Sequence, residues 1–180
     1  MTKWRHFIAS LILVSAMAGA GDGEPAKGGL LVDLDAAVES GKVEPVDGLS
    51  TAGQPNEAGF KVFADNGYAA VIDLRTEGED RGLDEAAVVE DLGMEYVSLP
   101  IGGGDITFEK AAELKRLMDQ YDEPILLHCG SSSRVGALLA LQEYAATGDR
   151  DAALEAGRAA GLTRLETKVI DAIDANKKGQ

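Results

Sequence analysis

The sequence predicts an α/β fold, a three-layer sandwich in which helices flank a mainly parallel central sheet. Short apolar runs of strand length alternate with longer segments whose apolar residues recur at helical spacing. A glycine repeatedly separates a helical segment from the strand that follows it, as at Gly67 and Gly93. Strands that alternate with helices in this way form βαβ units, and such strands run parallel.

In the first half of the chain, capping residues mark the ends of helices. Gly41 closes a short amphipathic segment, and Asn56 can cap a helix that carries Phe60 and Phe63 on one face. The apolar runs between these segments have strand length. The expected elements are a helix over 30–40, a strand within 43–55, a helix over 56–66, a strand over 68–74, a helix over 84–92 and a strand over 94–99.

Helical patterns dominate the second half. Phe108, Leu114 and Met118 recur at helical spacing, and Pro124 ends the turn before a short apolar strand. The run after that strand is apolar on every side, which indicates a buried helix. The expected elements are a helix over 107–121, a strand over 125–128, the buried helix up to 147, and two packing helices without visible chemistry over 149–160 and 163–176.

Composition limits the partners. The 180 residues include 31 acidic and 17 basic side chains, giving a net charge of −14. Such a surface argues against nucleic acid and anionic membranes as partners. The single cysteine, Cys129, excludes an internal disulfide, so packing must stabilise the domain. We expect no cofactor and no metal, and the oligomeric state is left open.

The first twenty residues predict a secretory signal peptide. Lys3 and Arg5 precede the apolar run Phe7–Val14, and small residues follow it. We expect bacterial Sec-type export, with a periplasmic or secreted protein that leaves the membrane after cleavage. The rest of the chain then divides into a tether and short helix at 21–42 and one domain at 43–180.

One stretch combines a thiol, small residues and an arginine where a strand passes into a helix. Cys129 follows the strand and Arg134 opens the helix, and the residues between them are Gly130, Ser131, Ser132 and Ser133. A turn at a helix N-terminus presents N–H groups to an anion, and the helix dipole favours a thiolate. Arg134 can grip a tetrahedral oxyanion through two parallel hydrogen bonds. The stretch predicts a nucleophilic Cys129 acting on an anionic group, and the alternative is a small core residue.

Further candidates lie in loops at the same edge of the sheet, because parallel strands all end there. The loops over 75–82, 100–106 and 129–134 should meet at this edge, and the loop over 50–55 could join them. Asp105 could protonate a leaving oxygen, or place a negative charge at the start of the next helix.

Three other sets of residues have two interpretations each. Arg75 could supplement the anion site or form a surface salt bridge. His128 could orient or hydrogen-bond near the thiolate; as a metal ligand it lacks a histidine partner, since the only other histidine is His6. The three serines could hydrogen-bond the thiolate or an oxyanion, or simply fit a tight turn.

Four segments together resemble those of a known family. They are Leu49–Pro55 with Gly53-Gln54-Pro55, Gly67–Arg75, Tyr96–Pro100 and His128–Gly136. In order and spacing they are similar to the bacterial dual-specificity-phosphatase-like proteins called beta-lactamase hydrolase-like protein, phosphatase-like domain. The resemblance implies a cysteine-dependent phosphatase fold, with Cys129 as nucleophile, Arg134 as phosphate-binding residue, and a phosphorylated small molecule or protein as substrate.

The spacing between Cys129 and Arg134 leaves other functions open. Typical cysteine phosphatases have five residues between these two and a hydroxyl residue after the arginine, whereas here there are four and Val135 follows. The shorter spacing is similar to that of rhodanese-type sulfurtransferases, whose cysteine carries a persulfide. A third possibility is a module that binds phosphate or sulfate without turnover. Ser132 also stands where the family's shorter loop usually has glycine, so a positive φ there would cost about 1 kcal/mol or more.

Overall fold

The computed structural model describes residues 28–178, and the predicted signal peptide lies outside the described residues. The strands are β1 (Leu30–Leu31), β2 (Leu49–Ala52), β3 (Ala70–Asp73), β4 (Glu95–Ser98) and β5 (Ile125–His128). They form one sheet in the order β1-β2-β5-β3-β4, and every neighbouring pair is parallel. Within this part of the chain, no helix is both long enough and apolar enough to cross a membrane.

Helices cover both faces of the sheet, as the sequence predicts. They are α1 (Leu34–Ser40), α2 (Glu57–Asp65), α3 (Glu85–Asp91), α4 (Phe108–Met118), α5 (Ser133–Thr147), α6 (Arg150–Ala159) and α7 (Glu166–Lys178). One apolar core joins the sheet to α4, α5, α6 and α7, and a second joins it to α2 and α3, with α1 against α2. The three-layer α/β sandwich is therefore confirmed.

The alternation of side chains along β5 decides which face each site residue occupies. Leu127 and Cys129 belong to the core on the α4–α7 face, whereas Leu126 belongs to the core on the α2–α3 face. His128 follows Leu126 in this alternation, and its ring meets the edge of Phe60 with centroids 5.9 Å apart. The thiol and the imidazole therefore lie on opposite faces of the sheet.

Two predicted elements need correction near the start of the described chain. The expected helix over 30–40 begins only at Leu34, because Leu30–Leu31 pairs with β2 and the carboxylate of Asp33 caps the helix. The expected strand within 43–55 shrinks to β2. Asp47 and Gly48, both with positive φ, form a tight turn that delays its start.

Candidate functional site

The loops that leave the carboxyl edge of the sheet meet around the segment Cys129–Arg134. Arg134 donates hydrogen bonds to the carbonyl oxygens of Leu74, at 3.5 Å, and Ile101, at 3.1 Å, which follow β3 and β4. Gly53, after β2, forms an isolated bridge with Ser131. The predicted convergence of all four loops is confirmed.

Cys129 is buried directly beyond the end of β5. Its exposed fraction is 1%, and its N–H donates to the carbonyl oxygen of Ala52 at 3.5 Å. The turn after it contains Ser132 at φ 59, so the residue that replaces the family's glycine does adopt the left-handed conformation. Helix α5 then begins at Ser133, and its first turn carries Arg134 back toward the thiol.

Arg134 is held in place by Glu79. The carboxylate oxygens of Glu79 accept from Nη1 and Nη2 of Arg134 at 2.5 and 2.6 Å, a bidentate ion pair. This pairing, together with the nearby Cys129, raises the pKa of Arg134. None of the hydrogen bonds among residues 28–178 uses Nε of Arg134, so the Nε–Nη2 edge of the guanidinium keeps N–H groups for another ligand.

Glu79 is itself fixed by its own loop. Its carboxylate accepts from the backbone N–H and the hydroxyl of Thr76, at 2.9 and 3.1 Å, and lies 3.5 Å from Nε of Arg75. The hydrogen bond from Arg134 is the main reason why the pKa of Glu79 falls far below its ordinary value. Sequence reasoning missed Glu79, because its loop also contains Glu77 and Asp80 and nothing in the sequence separates the three.

The three serines of the turn all bond to one segment, the connection between α6 and α7. Ser132 donates to the carbonyl oxygen of Ala160 at 2.8 Å, Ser133 accepts from the N–H of Thr163 at 3.2 Å, and Ser131 accepts from Arg164 at 3.2 Å. The three hydroxyls therefore connect the turn to the segment between α6 and α7. The helices predicted to carry no chemistry flank a connection that reaches the site.

A cavity of about 410 Å³ opens in front of the turn. Its lining includes Glu79, Gly103, Gly130, Ser131, Arg134 and Arg164. Cys129 is buried behind these residues, next to Gly130. Residues of the turn and two arginines, Arg134 and Arg164, therefore line the same cavity.

Asp105 folds back onto its own loop. Its Oδ2 accepts from the N–H of Gly102 at 2.7 Å, and its carbonyl oxygen accepts from the N–H of Thr107, the N-cap of α4. Gly103, from the same loop, lines the cavity. Asp105 is therefore anchored close to the cavity, in a loop whose glycines at 102–104 permit rearrangement.

Arg75 does lie within salt-bridge distance of Glu79, but it is buried, so the expected surface position is wrong. Its side chain is 6% exposed and donates to the side-chain oxygen of Gln54 and to the carbonyl oxygen of Asp80. Its contacts with Asp80 and Glu79 lie within the loop over 75–82, so Arg75 stabilises the loop that carries Glu79.

His128 belongs to a buried polar cluster on the far face of the sheet. Its Nε2 lies 2.8 Å from Glu85 Oε1 and 3.8 Å from Asp73 Oδ1. Burial alone would raise the pKa of Glu85, but bonds to His128 and Gln54 lower it overall. Sequence reasoning looked only for a second histidine and missed both carboxylates.

This cluster is the candidate metal centre of the described residues. Ligand atoms of Asp73, Glu85 and His128 lie within 4.8 Å of one another. However, Arg81 grips Asp73 at 2.7 and 2.8 Å, and the imidazole bonds Glu85 directly. Asp73 is thus already paired with a guanidinium and Glu85 is hydrogen-bonded to the imidazole, so protein groups occupy both carboxylates of this buried polar cluster.

A family model described as DSP-PTPase phosphatase fused to NAD+ kinase matches residues 35–172. A beta-lactamase hydrolase-like protein of Xylella fastidiosa is 35% identical over 99 residues, which are 53% of this chain and 23% of the relative. The corresponding protein of Agrobacterium fabrum is 29% identical over the same shares of the two chains. The matched part is thus less than a quarter of either relative.

Solved structures with the same fold include several phosphatases. A candidate phosphatase of Neisseria meningitidis has a TM-score of 0.60 and 21% identity, covering 69% of this chain and 92% of its own. P. aeruginosa TpbA in complex with pTyr has a TM-score of 0.53 and 17% identity, with coverages of 71% and 82%. At these identities the likeness establishes the fold.

Proposed function

The chain belongs to the family described as DSP-PTPase phosphatase fused to NAD+ kinase, and from this membership we propose that it hydrolyses phosphomonoesters through a phosphocysteine on Cys129. The phosphatase fold indicates phosphorylated substrates. The substrate proposed is a phosphorylated small molecule or protein, which the enzyme meets after export to the periplasm or the cell exterior. No cofactor is needed for this reaction.

The observation that carries the proposal is the division of the Arg134 guanidinium between two tasks. Its Nη1–Nη2 edge is bound by Glu79, which fixes its orientation beside Cys129. Its Nε–Nη2 edge keeps N–H groups that can clamp two phosphoryl oxygens in parallel. A rigid donor pair at the helix start stabilises the charge that develops on phosphorus without reorganising.

The reaction takes place in two displacements. The Cys129 thiolate attacks phosphorus, an S–P bond forms, and the P–O bond to the leaving group breaks. Asp105 gives its proton to the leaving oxygen, which requires its loop to release the bond from the Gly102 N–H. Water then gives a proton to the Asp105 carboxylate and attacks phosphorus, the S–P bond breaks, and inorganic phosphate leaves while Cys129 regains a thiolate.

The turn offers one backbone N–H fewer than the five-residue turn of typical cysteine phosphatases. The backbone donors after Cys129 begin at Gly130, which lines the cavity. Arg134 therefore has to supply a larger share of the binding to the three phosphoryl oxygens. This makes its rigid support by Glu79 more important for turnover.

The test is the hydrolysis of 4-nitrophenyl phosphate by the full chain under reducing conditions. We expect turnover by the wild type, loss of turnover in Cys129→Ser, and a trapped phosphocysteine after acid quench of the wild type. Cyanide-dependent thiocyanate release without phosphate release would instead identify a sulfurtransferase. Anion binding that Arg134→Ala abolishes, without either activity, would identify a binding module.

A further inference from the structure

The connection between α6 and α7 is fastened to the Cys129–Arg134 turn along its length. Ser132 and Ser133 bond to the backbone of Ala160 and Thr163, as described above. Gly161 packs against Ser132 so closely that a Cβ on this glycine would lie 2.5 Å from Ser132 Cβ. The connection is therefore held in a single position relative to the turn.

Arg164 is the residue that this arrangement presents to the cavity. It lines the same cavity as Arg134, and its Nη2 donates to the Ser131 hydroxyl at 3.2 Å. It is solvent-exposed, and within residues 28–178 it pairs with no carboxylate. Two other arginines, Arg150 and Arg158, are paired with Asp174 and Glu166, whereas the exposed Arg116 also has no carboxylate partner in the described part of the chain but lies away from the cavity.

A second cation contacts one residue of the cavity lining. Lys168, in the first turn of α7, donates to the carbonyl oxygen of Gly103, a residue of the cavity lining. It too has no carboxylate partner among the described residues. In a chain of net charge −14, an arginine in the cavity lining that has no acidic partner within residues 28–178, with Lys168 bound to a lining residue, favours a negatively charged ligand there.

Arg134 and Arg164 differ in the partners that the protein already gives them. Glu79 remains a carboxylate at neutral pH and cancels the charge of Arg134. Arg164 approaches from the Ser131 side of the cavity, whereas Glu79 holds the other side of the turn. A phosphoryl group held by Arg134 and the turn therefore leaves Arg164, on the Ser131 side of the cavity, able to bind a second anionic group.

We propose that Arg164, assisted by Lys168, binds a second anionic group of the substrate beside the scissile phosphate. The substrate class is then a phosphomonoester that carries another phosphate or a carboxylate. This inference rests on the proposed function for the identity of the first group. It assigns a substrate-binding role to a connection that sequence reasoning left without one.

The test measures binding rather than turnover. Isothermal titration of the full chain carrying Cys129→Ser compares phenyl phosphate, 1,3-phenylene bisphosphate and 3-carboxyphenyl phosphate. We expect at least one of the two-anion compounds to bind about fivefold more tightly than phenyl phosphate, the effect of one solvent-accessible ion pair. Which compound gains affinity identifies the second group as phosphate or carboxylate.

The variant Arg164→Gln should abolish this preference. The matched control is Arg116→Gln, an exposed arginine in the last turn of α4, far from the helix end that adjoins the site; it should retain the preference. Equal affinities for all three compounds, absence of any binding, or a preference that survives Arg164→Gln would overturn the inference. A preference without any phosphate release by the Cys129 protein would leave this subsite standing and refute the proposed hydrolysis.

Discussion

Glu79 binds both terminal nitrogens of Arg134, with oxygen–nitrogen distances of 2.5 and 2.6 Å. The pair joins the loop after β3 to the first turn of α5, so it connects two parts of the chain that are 55 residues apart. The Nη1–Nη2 edge of the guanidinium therefore binds Glu79, and the Nε–Nη2 edge can bind a ligand.

Replacing Glu79 by glutamine should destabilise the protein by about 1–2 kcal/mol at pH 7, the range for hydrogen bonds to a charged partner after allowance for partial exposure. The pKa of Glu79 is lowered in the folded state, chiefly by Arg134. Its contribution is therefore complete above the ordinary value of 4.5 and is lost as the pH falls below it.

Urea denaturation of wild type and Glu79→Gln at pH 7 and pH 3.5 measures this effect. The difference between the two proteins should shrink at the lower pH. Glu90→Gln, an exposed glutamate of α3, serves as control and should change the unfolding free energy by no more than about 0.5 kcal/mol. A difference for Glu79→Gln that stays constant with pH would contradict the assigned ion pair.

Arg134→Lys keeps the charge but removes the planar fork. A lysine has one nitrogen, which cannot bind Glu79, reach the carbonyl oxygen of Ile101 and clamp a phosphoryl group at once. We expect kcat/KM for 4-nitrophenyl phosphate to fall on the order of 100-fold. Arg116→Lys should leave it unchanged, and a fall of less than about threefold in Arg134→Lys would show that the fork is not used.

Gly161→Ala should destabilise the fold through two separate costs. Gly161 has φ 98, and an added Cβ would meet Ser132 Cβ at 2.5 Å. We expect a loss of about 2–4 kcal/mol in the free energy of unfolding. Combining it with Ser132→Gly removes the contact and should recover part of the loss.

The control for backbone strain alone is Gly148→Ala. This glycine has φ 70, and nothing lies within 4 Å of the position of its Cβ. We expect a cost near 1 kcal/mol there. Equal costs at Gly161 and Gly148 would show that the connection can move away from the turn.

The layers of the fold and the nucleophile stretch could be predicted because local signals specify them. Apolar runs of strand length, capping residues such as Asn56, and the small residues after Cys129 act within a few positions. The two-residue edge strand β1 could not be predicted, since its only signal is its pairing with β2. The other strands have four residues each, which is already short for an alternating pattern, and a two-residue strand shows no pattern at all.

The supporting residues of the site were beyond sequence reasoning for a different reason. Glu79 is one of several acids in its loop, and Arg164 follows a helix that carries no motif. Their roles depend on which loops the sheet order brings together, because β5 lies between β2 and β3. These roles can therefore be assigned only from the tertiary structure.

Asp105→Asn separates the general acid from a purely structural aspartate. The asparagine side-chain oxygen can still accept the hydrogen bond from the Gly102 N–H, so the loop keeps its conformation. The proton that a basic leaving group requires is then missing. We expect kcat for phenyl phosphate to fall about 100-fold, whereas kcat for 4-nitrophenyl phosphate should change little because 4-nitrophenolate leaves without a proton. Equal losses on both substrates would assign Asp105 to the loop, and no loss on either would place the acid elsewhere.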